Sequence, residues 1–265
     1  MHLALNLGNI YIFILPLALV KVNSYVSNVS TKLIVLATKK HIVVLTGAGI
    51  SAESGVKTFR DHNGLWEGHD VMKVASPQGF KNDPNLVLEF YNQRRRQLNT
   101  VAPNQAHQNL KALERDFKVT IITQNVDDLH ERAGSKTVLH LHGELLKVRS
   151  ISNPNITYPW TDDLNLGDTD DQGNQLRPHI VWFGEDVPLI QKAAEICQTA
   201  DIMVIVGTSL QVYPASGLIQ HTKQNIPMYY IDPQPAAIQN SNLKIISKKA
   251  TVGTSDLRTI LKQSL

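Results

Sequence analysis

Between His41 and Asp232 the chain repeatedly runs an apolar stretch of strand length into a cluster of small or polar residues. That rhythm constrains the fold more than any other feature. "HIVVLTGAG" ends in glycines, "FKVTIITQN" in amides, "TVLHLHG" in histidine and glycine, "DIMVIVGTS" in hydroxyls and "IPMYYID" in a carboxylate. Segments of helical character, among them "DPNLVLEFYNQRRRQL" and "PLIQKAAEICQTA", lie between these runs. Short apolar strands that alternate with helices predict a parallel sheet covered on both faces. The expected class is therefore α/β, a doubly wound parallel sheet. Ligands of such sheets bind beyond the carboxyl ends of the strands, where the polar clusters fall. The stretch from about Leu145 to Pro178 breaks the rhythm. It is rich in Asn, Asp, Gly and Pro, lacks helical periodicity, and reads as a small insert.

A chain of 265 residues, 42% hydrophobic and 18% charged, can bury a sizeable core without a disulfide or metal staple. A net charge of +3 with no long basic run does not point to nucleic acid. The single cysteine, Cys197, cannot form an internal disulfide, and beside Ala193, Ala194 and Ile196 it reads as a buried, inert thiol. Residues 9–20, "NIYIFILPLALV", are interrupted by Pro16 and fall short of the roughly 20 apolar residues that span a bilayer. No Lys or Arg precedes them and no small-residue cleavage site follows, so neither stable membrane insertion nor secretion is expected. Residues 1–38 read as an N-terminal extension, either an extra segment packed on the domain or the product of an upstream start, with a targeting sequence as the weaker alternative.

The first chemical motif is "GAGISAESG". Gly47, Gly49 and Ala52 fit Gly-x-Gly-x-x-Ala directly after a strand, a Rossmann-like arrangement in which glycines let the backbone approach a pyrophosphate. Alone this suggests an NAD-dependent oxidoreductase. The joint set "GAGISAESGVKTFRD", "TQNVDDLHERAG", "HLHGEL", "PHIVWFGEDVP" and "GTSLQVYPASGL" is more specific, and it resembles the sirtuin family of NAD-dependent protein lysine deacylases. The resemblance runs from Lys39 to the C-terminus. It implies one catalytic domain over 39–265, with a Rossmann-like large domain and a small second domain made of inserts near 60–103 and 145–178.

The resemblance also implies roles. Gly47, Ala48, Gly49, Ser51, Gly207, Thr208 and Ser209 would hold NAD; Gln124 and Asn125 would contact its ribose, and Asp127 its carboxamide. A carboxylate, being acceptor-only, suits an amide. The competing reading, an Asx turn capping the next helix, fits Asp128 better than the whole set. Arg60, beside Asp61, would lie over the cofactor, and Phe59 would shield the reactive carbon. Asp232 stands where the family often has asparagine and would accept from ribose hydroxyls. In the family reaction the acyl oxygen of the substrate lysine displaces nicotinamide; a histidine then deprotonates a ribose hydroxyl, which attacks the acyl carbon, and water releases free lysine and O-acyl-ADP-ribose. His142 is the candidate base, since imidazole titrates near neutrality. Metal binding by His140 and His142 from one strand face is the weaker reading, and His140 and His130 are expected to be structural.

Val181, Trp182 and Phe183 would line an acyl tunnel, with Gly184 and Glu185 meeting the backbone of an acylated lysine-containing protein. Ala75, Tyr91 and Arg94 match the branch of the family that removes negatively charged acyl groups. Tyr91 and Arg94, three apart, share a helical face, whereas Arg95 and Arg96 read as solvated. Many sirtuins hold zinc with four cysteines in the small insert. Here "VRSISN" and "DTDDQGN" stand in those regions, so no structural zinc is expected. A cytoplasmic, zinc-free deacylase is the leading expectation. An inactive interaction module and an ADP-ribosyl transferase are the alternatives beside the oxidoreductase.

Overall fold

The computed structural model describes residues 39–57, 65–66 and 68–263; the expectations for residues 1–38, Phe59, Arg60 and Asp61 fall outside them. Strand β1 (His41–Thr46) is buried at every position. It runs into two 3-10 turns, Ala48–Ile50 and Ala52–Ser54. A short hairpin of β2 (Leu65–Trp66) and β3 (His69–Asp70) precedes helices α1 (Val71–Val74), α2 (Pro77–Asn82) and α3 (Pro84–Leu98). Asp83 starts α3 by accepting from Leu86 N at 3.0 Å, and Pro84 occupies the first turn, where no donor is needed. Helix α4 (Gln105–Leu113), strand β4 (Lys118–Thr123), the short α5 (Leu129–Arg132) and strand β5 (Val138–His140) follow. Then come β6 (Gly143–Ser150), β7 (Thr157–Pro159), β8 (Leu176–Ile180) and α6 (Ile190–Gln198). Strands β9 (Ile202–Val206), β10 (Met228–Ile231) and β11 (Leu243–Ile246) and helix α7 (Ala250–Lys262) complete the order.

Six strands form one parallel sheet in the order β11-β10-β9-β1-β4-β5, the doubly wound sheet expected. Ile42 and Val44 of β1, Ile121 of β4 and Val204 of β9 face one core with α4 and α7. On α4 the inward residues Ala106, Leu110 and Leu113 follow helical spacing. Val43, Leu45, Ile122, Met203 and Tyr230 face the opposite core with α6. Burial on both faces is why the strands carry no polar alternation. Thr46 pairs in register with Thr123 and with Val206, so the loops after β1, β4 and β9 leave the sheet at one level. The chain turns to opposite sides of β1 there, the place where open sheets bind ligands. Strand β11 carries little sequence signal, because "LKII" lies at an edge with two of its four residues exposed.

The insert is more regular than its composition suggests. Strands β7, β6 and β8 form an antiparallel sheet, and Leu145 and Ile180 from it pack with Val87, Phe90 and Tyr91 of α3. The Arg-Arg-Arg run divides. Arg96 is exposed and pairs with Glu89 and Asp163, but Arg95 is 1% exposed, contrary to the solvated reading. Arg95 lies one turn beyond Tyr91 on the buried face, donating to Leu145 O at 3.2 Å and to Asn92 Oδ1 at 2.7 Å. Burial pulls its pKa down to about 10. No helix among the described residues is long and apolar enough to cross a membrane.

Candidate active site

The loops at the carboxyl ends of β1, β4 and β9 enclose a cavity of about 300 Å³. Gly47, Ala48 and Gly49 line one side, with Gly207, Thr208 and Ser209 beside them. These two loops touch backbone to backbone: Gly49 N donates to Gly207 O at 2.8 Å. Gly207 has a φ of +63°, and a Cβ on it would come within 2.3 Å of Ile50 N. A Cβ on Gly49 would come within 2.7 Å of Gly207 Cα. Only glycines permit this approach, which leaves a cradle of bare backbone suited to a pyrophosphate.

The loop after β4 supplies the polar cluster. Ser51 Oγ donates to Asp127 Oδ2 at 2.9 Å and accepts from Asn125 Nδ2 at 3.2 Å. Gln124 Nε2 donates to Thr208 Oγ1 at 3.0 Å, joining this loop to the one after β9. Asp127 Oδ1 accepts from Leu129 N at 3.2 Å. Asp127 therefore lines the cavity and, in an Asx turn, also holds the first amide of α5. Asp128, the other residue able to cap on sequence, instead lies 3.6 Å from Arg132. Burial raises the Asp127 pKa, opposed by its bonds to the Leu129 amide and Ser51.

His142 lies between strands, because β5 ends at His140. The two histidines consequently share no strand face. His140 uses both ring nitrogens within the protein, on Asn125 O and on Glu131 Oε1, each at 2.9 Å, which removes it as a metal ligand. Burial pulls the His140 pKa down, but the Glu131 carboxylate outweighs it and the net shift is upward. His142 Nδ1 lies 3.1 Å from Gln124 O. A carbonyl only accepts, so Nδ1 carries the proton and Nε2 carries the lone pair. Burial lowers the His142 pKa, with the Gln124 carbonyl opposing. A neutral imidazole with a bare Nε2 is a general base ready at pH 7.

Two further histidines are buried under this loop. His130 Nε2 meets Thr46 Oγ1 at 3.0 Å, and its ring centroid is 4.9 Å from that of His107. Burial pushes His107 down to about 4 and His130 well below its ordinary value. Above the unfolded value of about 6.5 both states leave the rings neutral. As pH falls from 6.5 towards 4, the unfolded chain takes up protons that the folded one refuses, and stability declines on the order of 3 kcal/mol for His107 alone. Urea unfolding at about pH 7 and about pH 5 tests this: the midpoint is expected to drop in acid, and equal midpoints would contradict it.

The opposite wall carries Ala75, Tyr91, Val181, Trp182, Phe183 and Gly184. Tyr91 and Ala75 are buried, whereas Phe183 is 40% exposed. Val181 N donates to His142 O and Phe183 N to Ala75 O, each at 2.9 Å, so this wall is tied to the base and to α1. Glu185 lines the cavity too, but its carboxylate is taken by Arg149, Arg177 and the Trp182 amide. Arg94 does not line the described part of the cavity; its guanidinium lies 3.2 Å from the Phe90 ring centroid. Asp232 is 1% exposed, accepts from Gln234 N at 2.8 Å, and also lies outside the described lining. Tyr213 and Val187 were not singled out from sequence yet line the cavity. Tyr213 is 77% exposed, and its signal was a large aromatic in "QVYPASGL", just past the hydroxyls of the fourth strand.

Cys197 is buried, and burial raises its thiol to about 12. In the acidic insert, Asp170 accepts from Gln172 N and Asn174 N. The Ser150 hydroxyl, with these amides, holds its carboxyl at about 2. Among the described residues no three His, Cys, Asp or Glu gather as metal ligands.

An open parallel sheet, a glycine cradle at its switch point and an imidazole in the basic tautomer together define a dinucleotide-using enzyme. The sequence profile of the Sir2 family matches residues 47–214. An NAD-dependent protein deacylase of Helicobacter pylori is 58% identical over 219 residues, covering 82% of this chain and 96% of the relative. One of Bacteroides thetaiotaomicron is 50% identical over 229 residues, covering 84% and 98%. The crystal structure of a Sir2 homolog–NAD complex superposes with a TM-score of 0.76 at 37% identity, covering 85% of this chain and 91% of that one. The chain belongs to the Sir2 family. The oxidoreductase reading of the glycine motif gives way to this membership.

Proposed function

We propose that the protein removes acyl groups from lysine side chains of proteins at the expense of NAD, yielding nicotinamide, O-acyl-ADP-ribose and free lysine, and that it accepts succinyl and malonyl as well as acetyl groups. The observation that carries this reading is His142 in its basic tautomer, in the same cavity as the glycine cradle and the Ser51–Asn125–Asp127 cluster. NAD, when bound, supplies an electrophilic ribose carbon and the hydroxyls beside it. Gly47, Ala48 and Gly49 admit its phosphates from one side, and Gly207, Thr208 and Ser209 close the other. Asp127 accepts from the carboxamide, Gln124 and Asn125 orient the ribose, and His142 takes a hydroxyl proton at Nε2. Arg60 and Phe59 serve the reacting end and Asp232 the adenosine ribose. The substrate main chain adds along Gly184 and the backbone of Glu185, with its acyl chain between Val181 and Phe183. We place the activity in the cytoplasm, since secretion would separate the enzyme from NAD.

Incubation with NAD and acetyl- or succinyl-lysine peptide is expected to yield nicotinamide and free lysine without reduced NAD. Nicotinamide release without deacylated peptide would exclude the reading.

Ala75 and Tyr91 on the buried wall, with Arg94 on the same helix, support the acidic acyl specificity. A guanidinium and a phenol bind a carboxylate through charge-assisted bonds. Arg94→Met is therefore expected to lower desuccinylation about ten- to a hundredfold more than deacetylation. Equal losses on both peptides, or a wild type that does not desuccinylate, would remove the assignment.

A further inference from the structure

Behind the acyl wall lies a charged cluster that the chemistry above does not use. Glu185 is held by two guanidiniums: Arg177 Nη1 at 2.6 Å and Arg149 Nη2 at 3.1 Å. The same carboxylate accepts from Trp182 N at 2.8 Å. The Arg177 guanidinium carbon also lies 3.2 Å from the Trp182 ring centroid, a close cation–π contact. Trp182 is thus gripped at its amide by Glu185 and on its face by Arg177. Its one side-chain donor is aimed at Tyr91: Nε1 to the phenol oxygen is 3.0 Å.

Indole N–H donates and never accepts, so the Tyr91 oxygen is the acceptor in this bond. The phenol proton is thereby turned away from Trp182. Held in this way on the cavity wall, the buried Tyr91 hydroxyl has a lone pair engaged by Trp182 and its proton directed to some other partner. A donor suits an acyl chain that ends in carboxylate and does nothing for a methyl group. Two guanidiniums against one carboxylate also leave the cluster one positive charge behind that wall.

We propose that Arg177 and Glu185 are positioning residues for acyl selection, acting through Trp182 to fix Tyr91 as a donor to acidic acyl groups. This rests on the acyl specificity proposed above. The relay explains why an ion cluster that is costly to desolvate sits beside the acyl wall.

The test is a double-mutant cycle read as the ratio of kcat/KM on succinyl- and acetyl-lysine peptides. Trp182→Phe keeps a ring and removes the donor. Arg177→Lys keeps the charge and loses the fork and the stacked plane. Each is expected to lower the succinyl-to-acetyl ratio about three- to tenfold, the scale of one neutral hydrogen bond. In a Tyr91→Phe background neither should lower it further. A merely structural cluster would reduce both activities alike and leave the ratio unmoved. An unmoved ratio in a desuccinylating wild type, or a shift that persists in Tyr91→Phe, overturns the relay alone. A wild type without desuccinylation overturns the relay together with the acyl assignment. Should Trp182→Phe fail to fold, Arg177→Lys alone decides.

Discussion

Replacing His142 with alanine is expected to lower deacylation about a hundred- to ten-thousandfold, the usual contribution of a positioned general base. The geometry isolates this effect from folding. His142 sits in the connection between β5 and β6, where its side chain makes one bond, Nδ1 to Gln124 O. Losing a single partly exposed bond of this kind costs about 1 kcal/mol. The variant should therefore melt close to the wild type while NAD binding persists by calorimetry. A fully active, folded variant would remove His142 from the mechanism. The pH profile gives a second reading of the same residue. The base works only when neutral, and burial sets its pKa below the ordinary 6.5. The acid limb of kcat/KM should accordingly lie below about pH 6.5, with activity lost as the pH falls through it.

Gly207→Ala should show the second large effect, this time on fold and cofactor together. At a φ of +63° a Cβ costs about 1–2 kcal/mol by itself. Here it would also meet Ile50 N at 2.3 Å and Gly49 C at 2.5 Å, backbone atoms that cannot swing aside. The loops after β1 and β9 must separate to admit it, which opens the cradle. A loss of at least about 2 kcal/mol, seen as a fall in Tm of roughly 4–8 °C, is expected. NAD affinity should drop at least about tenfold, since the approach of bare backbone is what the cradle offers. Gly217→Ala is the control, because a Cβ there meets nothing within 4 Å. Matching losses in both variants would show that the Gly207 contact has no special role.

Much of this molecule was written in local pattern. Strands buried on both faces are dominated by apolar residues, so "HIVVLT", "VTIIT" and "IMVIV", polar only at His41 and three threonines, mark a covered parallel sheet. Loops that leave such strands at one level gather their polar residues, so glycines, amides and hydroxyls far apart in the chain could be assigned to one site. The five motifs together carry the resemblance to the family. The insert from 145 to 178 was harder. Its strands are short and pair antiparallel within a small sheet, so neither helical spacing nor a long apolar run marks them.

What only the tertiary structure decided concerns partners. Three consecutive arginines look alike in sequence, yet helix rotation buries Arg95 against Leu145 and leaves Arg96 on two surface carboxylates. Asp127 and Asp128 are equivalent as caps until Ser51 arrives from the loop after β1 and fixes Asp127. His140 and His142 were one strand face until β5 ended at His140 and gave each ring its own carbonyl. Nothing in sequence marks the partners of the Glu185 carboxylate, which Arg149 and Arg177 supply from β6 and β8. In each case sequence sets which bonds a side chain can make, because donors, acceptors and charge belong to the residue. Which bond is made depends on the groups that folding brings within about 3 Å, and these come from near and far in the chain, Ser51 reaching Asp127 across 76 positions.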